Sequence, residues 1–157
     1  RVVRGAGPQR QAPVAGVKAL ALRAERAANH TGAEHLGYVE SASPFDGLGA
    51  GDVVLVADEH LLALQPLALP AGVTAIVAGT VVPAWAADAC AVALPITTFA
   101  EEEGTFTNLR GRVQRFLQAK TPPTLARPSH LVLGELAAAL GAARLAPLAS
   151  AVFDTLA

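Results

Sequence analysis

Asp52-Val53-Val54-Leu55-Val56-Ala57 is the stretch that decides the fold. Five consecutive apolar residues, mostly β-branched, have no period-two alternation. Such a run suits a strand covered on both faces, so a central strand of a parallel sheet is predicted. Two similar runs follow. Val73-Thr74-Ala75-Ile76-Val77-Ala78 is closed by Gly79, and Cys90-Ala91-Val92-Ala93-Leu94 is stopped by Pro95. Short segments broken by Pro66, Pro70 and Pro83 separate them, with a helical turn predicted over Pro83 to Asp88. Strands alternating with helical segments imply right-handed crossovers. The predicted class is therefore α/β: a parallel Rossmann-like sheet flanked by helices, with a β-hairpin and a C-terminal helical segment.

Upstream, Val2-Val3 reads as the start of a strand, and Gly5-Ala6-Gly7-Pro8 as a tight turn after it. The third glycine of a dinucleotide loop is missing, and no Gly-x-x-x-x-Gly-Lys phosphate loop exists. Ala12 to Ala28 is predicted helical, with Val14, Val17, Ala21 and Ala24 on one face. Asn29-His30-Thr31-Gly32 is its predicted C-terminal stop. Gly37 to Gly51, rich in Ser, Pro, Asp and Gly, reads as loop.

Downstream, Gly104-Thr105-Phe106-Thr107 and Arg112-Val113-Gln114-Arg115 alternate in polarity around Asn108-Leu109-Arg110-Gly111, so a β-hairpin is predicted. Thr121-Pro122-Pro123-Thr124 begins a linker to Pro128. Ser129 is the predicted N-cap of a helix from about His130 to Leu140, and a last helix is expected over Leu145 to Leu156 with Pro147 in its first turn. Residues 1–120 are read as the α/β domain and 121–157 as linker and C-terminal helices.

The 157 residues carry a net charge of −1, and 16% are charged, which excludes a basic stripe for nucleic acid. The single cysteine, Cys90, excludes a disulfide framework and a cysteine-rich metal or iron–sulfur site in this chain. No apolar run reaches the ~20 residues of a membrane span. The chain starts on Arg rather than Met, and it is expected to be a fragment of a longer protein.

Few groups offer chemistry. Asp58, Glu59 and His60 follow the 52–57 strand, where doubly wound sheets bind ligands. Two adjacent carboxylates repel phosphate, and a solvated loop is the favoured reading. His30 and His35 flank Gly32 without the three or four ligands of a metal centre. Cys90 reads as a small core residue. Glu101-Glu102-Glu103 is either a solvated charge run or, through Glu101 and Glu103 beside Arg110, Arg112 and Arg115, a set of charge-assisted bonds pinning a loop to the hairpin. No catalytic or metal-ligating residue is predicted.

Leu94, Pro95, Thr98, Phe99, Glu101, Glu103, Gly104, Thr105, Asn108, Gly111, Arg112 and Gln114 form a long ordered pattern. It resembles the molybdopterin oxidoreductase superfamily and, within it, the large iron–sulfur subunit of bacterial NADH-quinone oxidoreductase (respiratory complex I). Asn29-x-x-Gly32-x-x-x-x-Gly37 and Arg127-Pro128 with the following helix resemble flanking family segments. The resemblance implies a C-terminal fragment of that polypeptide, serving as a non-catalytic structural and assembly region. The iron–sulfur clusters would lie in a missing N-terminal part, with no cofactor in this fragment. The implied partners are the other peripheral-arm subunits of complex I, with no nucleic acid and no direct membrane insertion. The implied location is cytoplasmic, peripheral on the inner membrane through the complex.

Three departures from the family pattern fit loss of the cofactor. Ala91 stands where the family commonly has Asp, Arg110 where it has an acid, and Ala57-Asp58-Glu59 where molybdoenzymes have Gly-x-Asn-Pro. Two other readings stay open. In a fragment of a catalytic molybdoenzyme, Thr98, Asn108 and Arg112 would line a pterin site. The last reading is a free-standing Rossmann-like binding protein, which the missing phosphate loop disfavours.

Overall fold

A computed structural model describes residues 3–5, 29–41, 43–57 and 68–156. The helix expected over 12–28, the glycine turn after Gly5, and Asp58, Glu59 and His60 lie outside the described residues. The chain divides into two compact units, Arg1–Asp46 with Thr105–Gln114, and Gly47–Gly104 with Arg115–Ala157.

The second unit holds a three-stranded sheet in the order β3 (Val53–Ala57), β4 (Thr74–Gly79), β5 (Cys90–Pro95). Both pairings are parallel, with Leu55 opposite Ile76 and Ile76 opposite Val92. β4 is the central strand: Ala75, Val77 and Ala78 on its two faces are all buried. β3 was expected there and lies at an edge instead. Among the described residues its apolar run pairs with a strand on one side only, and Val53 remains 61% exposed.

Both steps of the sheet run in the same direction, from β3 to β4 to β5. The 3₁₀ helix Ala84–Ala89 covers one face of the sheet, where Ala86 packs with Val56, Ala75 and Val77. The small side chains at 75 and 86 allow that close approach. On the other face Ala78 meets Ile96 and Val132. Val132 belongs to α2 (Ser129–Ala139). The linker before α2 is tied to the strand end, because Arg127 bridges Ile96 in parallel and its carbonyl accepts the Thr97 N–H at 3.0 Å.

In the first unit, β1 (Val3–Gly5) pairs in parallel with β2 (Val39–Ser41), and α1 (His30–His35) precedes β2. Both α1 and β2 correct the sequence reading, which put a helix stop at 29–32 and loop from Gly37. Asn29 adopts the left-handed conformation, with φ +62°, and a helix starts directly after it. The hairpin forms from β6 (Gly104–Thr107) and β7 (Val113–Phe116). Its tip belongs to the first unit, while Gly104 and Arg115 belong to the second. The last helix, α3, is Ala149–Leu156. Pro147 precedes it rather than lying in its first turn. Among the described residues no helix is long and apolar enough to cross a membrane.

Candidate functional site

The hairpin tip is built around Asn108. Its main-chain N–H donates to the Arg112 carbonyl at 2.9 Å, and its carbonyl accepts the Gly111 N–H at 2.9 Å. Its side-chain Oδ1 accepts the N–H of Arg110 at 2.9 Å and of Arg112 at 3.1 Å. Nδ2 donates to Gln114 Oε1 at 3.3 Å. An Asn side chain that replaces backbone partners in this way is a standard turn-former. Gly111 completes the turn at φ +76°.

A second asparagine ties the tip to α1. Asn29 Oδ1 accepts the Thr107 N–H at 2.7 Å. Gly32 is buried directly beneath that bond, and a Cβ there would collide with Asn29 Oδ1 and lie 2.9 Å from Thr107 Oγ1. Glycine is required by this close approach. Around the junction opens a pocket of about 390 Å³, lined by Asn29, His30, Thr31, Thr107, Asn108, Leu109 and Arg110. Among the described residues no carboxylate lines it. The nearby acid of α1, Glu34, meets His30 Nε2 at 3.2 Å.

The acidic run lies in the second unit and is not a solvated face. Glu101 is 6% exposed. Its carboxylate accepts the Thr98 N–H at 3.1 Å and meets Lys120 Nζ at 3.3 Å. The Thr98 bond, aided by Lys120, outweighs desolvation and holds the Glu101 carboxyl below its ordinary range. Glu102 accepts from Thr97 Oγ1 at 2.9 Å, from Ser129 N at 2.7 Å and from Ser129 Oγ at 2.9 Å. Glu103 pairs with Arg115 at 2.7 Å.

Of the residues singled out from sequence, Asn108, Gly111, Arg112 and Gln114 come together in the tip, with Asn108 as its organiser. Thr98, Glu101 and Glu103 sit in the loop of the other unit. Leu94 packs beside the Ala78–Ile96–Val132 cluster, and the Pro95 carbonyl accepts the Arg127 N–H at 3.3 Å. Gly104 admits the Phe116 ring, since a Cβ would lie 2.7 Å from its Cζ. Of the arginines expected to pin the acidic loop, Arg115 does so. Arg110 and Arg112 are exposed and, among the described residues, make no ion pair. Cys90 is half-buried against the core, as expected. No group of three or more metal-ligating side chains occurs among the described residues. The roles of Glu102 at Ser129 and of Asn29 at Thr107 had no local signal, because their partners are 27 and 78 residues away.

Comparison with known proteins adds three findings. Residues 16–139 match the family described as molybdopterin oxidoreductase. The chain is similar to the F420-dependent formate dehydrogenase 2 subunit alpha of Methanococcus maripaludis, with 41% identity over 68 residues. That alignment covers 42% of this chain and 10% of the relative, so the chain spans about a tenth of that protein's length. No solved structure matches the chain.

Proposed function

This chain belongs to the molybdopterin oxidoreductase family, and from that premise we propose that it is a non-catalytic structural region of the large iron–sulfur subunit of NADH-quinone oxidoreductase. In this reading the whole complex passes electrons from NADH to quinone. The region carries no cofactor and contacts other subunits of the peripheral arm on the cytoplasmic side of the membrane.

The observation that supports this reading is the engagement of the polar groups a pterin would need. The Asn108 carboxamide holds two backbone N–H groups and the Gln114 side chain. The Thr98 N–H serves Glu101. A pterin drawing on either would have to break the turn or uncover a buried carboxylate, each with its desolvation cost. Of the three residues, Arg112 alone offers an exposed side chain with no ion pair among the described residues, and one guanidinium is a poor cradle for a large heterocycle. These engagements support the reading that the region holds no pterin.

One finding favours a second reading, in which the region belongs to a catalytic molybdenum enzyme: its 41% identity to a formate dehydrogenase subunit over the aligned stretch. Metal analysis of the full-length protein, purified in its native assembly, separates the two. The structural reading expects no stoichiometric molybdenum or extractable pterin, and co-purification with NADH dehydrogenase activity. One molybdenum per chain would overturn it.

A further inference from the structure

We infer that the hairpin tip is a docking surface for an acidic stretch of a partner polypeptide, whose carboxylates meet Arg110 and Arg112 beside the pocket. The inference rests on the proposed assembly role and names the chemistry of the partner. From Thr105 to Gln114 the tip carries two arginines and no acid, in a chain whose net charge is −1. Of the other exposed arginines described, Arg115 has Glu103 and Arg127 has Glu135 in a two-pronged pair at 2.7 and 2.8 Å, while Arg144 is likewise without an ion pair among the described residues. Arg110 and Arg112 make no such pair among the described residues.

The pocket wall has matching polarity. Its two amide oxygens, Asn29 Oδ1 and Asn108 Oδ1, already accept backbone N–H groups. Threonine hydroxyls and the Arg110 guanidinium remain to meet a ligand, and Glu34 is engaged by His30. Guanidinium groups bind carboxylates through paired, charge-assisted hydrogen bonds. Leu109, 55% exposed on the pocket rim, adds an apolar contact beside them. A volume of about 390 Å³ has room for one or two side chains. Nucleic acid is a poor match, since the tip has only two cations and its one aromatic, Phe106, lies in β6.

The test is fluorescence anisotropy with the full-length protein and a labelled decapeptide of Glu and Leu, against its Gln-for-Glu counterpart. The Glu peptide should bind at least about tenfold more tightly, and more weakly as salt rises. Arg110→Glu with Arg112→Glu should lose about tenfold or more. Arg144→Glu, a charge change outside the tip, should leave binding unchanged. Circular dichroism of the double variant checks that the fold persists. Equal binding of both peptides, undiminished binding by the double variant, or an equal loss in Arg144→Glu would overturn the inference. Displacement of the peptide by inorganic phosphate at comparable concentration would also overturn it, by assigning the site to a free anion. Molybdenum content is measured separately, so failure of the proposed function and failure of this docking surface are distinguishable.

Discussion

Glu102 caps the helix that begins at Ser129. Its carboxylate accepts both the Ser129 N–H, at 2.7 Å, and the Ser129 hydroxyl, at 2.9 Å. The first N–H groups of any helix lack partners within it, and a carboxylate there also meets the positive end of the helix dipole. The same carboxylate holds Thr97, 2% exposed, so one side chain joins the loop after β5 to the start of α2.

Glu102→Ala should therefore destabilise the second unit by about 1–3 kcal/mol, since it removes a cap and strands a buried hydroxyl. Glu102→Gln keeps the shape and one acceptor, and should lose roughly half as much. Urea unfolding followed by helical circular dichroism measures both. An unchanged midpoint in the Ala variant would remove Glu102 from the account of how α2 is anchored.

Glu101 makes a pH prediction whose sign follows from its neighbours. Its folded-state pKa is depressed, first by the Thr98 N–H and then by Lys120. A depressed carboxyl stabilises the fold fully above its ordinary pKa and loses that contribution as pH falls through the folded value. Acidification from neutral pH should thus lower the melting temperature. Glu101→Gln, which cannot ionise, should be less stable than the parent at pH 7 and should lose less on acidification. Thermal melts of both proteins from pH 7 to below pH 4 test this. Parallel curves would show that Glu101 does not drive the acid limb.

These contacts also mark where the sequence was legible. The three parallel strands stand out because short apolar runs bounded by Gly or Pro leave few alternatives. The placing of β3 at an edge was hidden, because a run such as Val53–Ala57 looks the same with one or two strand neighbours. α1 was missed because His30-Thr31-Gly32 has weak helix propensity, and the Asn29 bond to Thr107 compensates from outside the helix. β2 is three residues long, too short to carry a period. Ser129 has the chemistry of an N-cap, yet its hydroxyl donates to Glu102 and the capping position falls on Pro128. The tip was legible in kind: Asn108 and Gly111 are turn residues, and they form the turn. That Arg115, rather than all three arginines, meets the acidic loop depends on tertiary placement.

Gly32 carries the last prediction. It lies in α1, where alanine ordinarily gains about 1 kcal/mol over glycine through helix propensity. Here the added Cβ would collide with Asn29 Oδ1, the atom that accepts the Thr107 N–H. The carboxamide must swing away, leaving a part-buried N–H unpaired at a cost of about 1–3 kcal/mol. The net effect of Gly32→Ala should therefore be destabilising, against the helix-propensity trend. Amide exchange at Thr107 should quicken in Gly32→Ala and in Asn29→Ala alike, because both remove the same bond. The double variant should be little worse than either single one, as expected of residues acting through one contact. A stabilised Gly32→Ala protein with unchanged exchange at Thr107 would mean that the Asn29–Thr107 bond does not hold α1 to the hairpin.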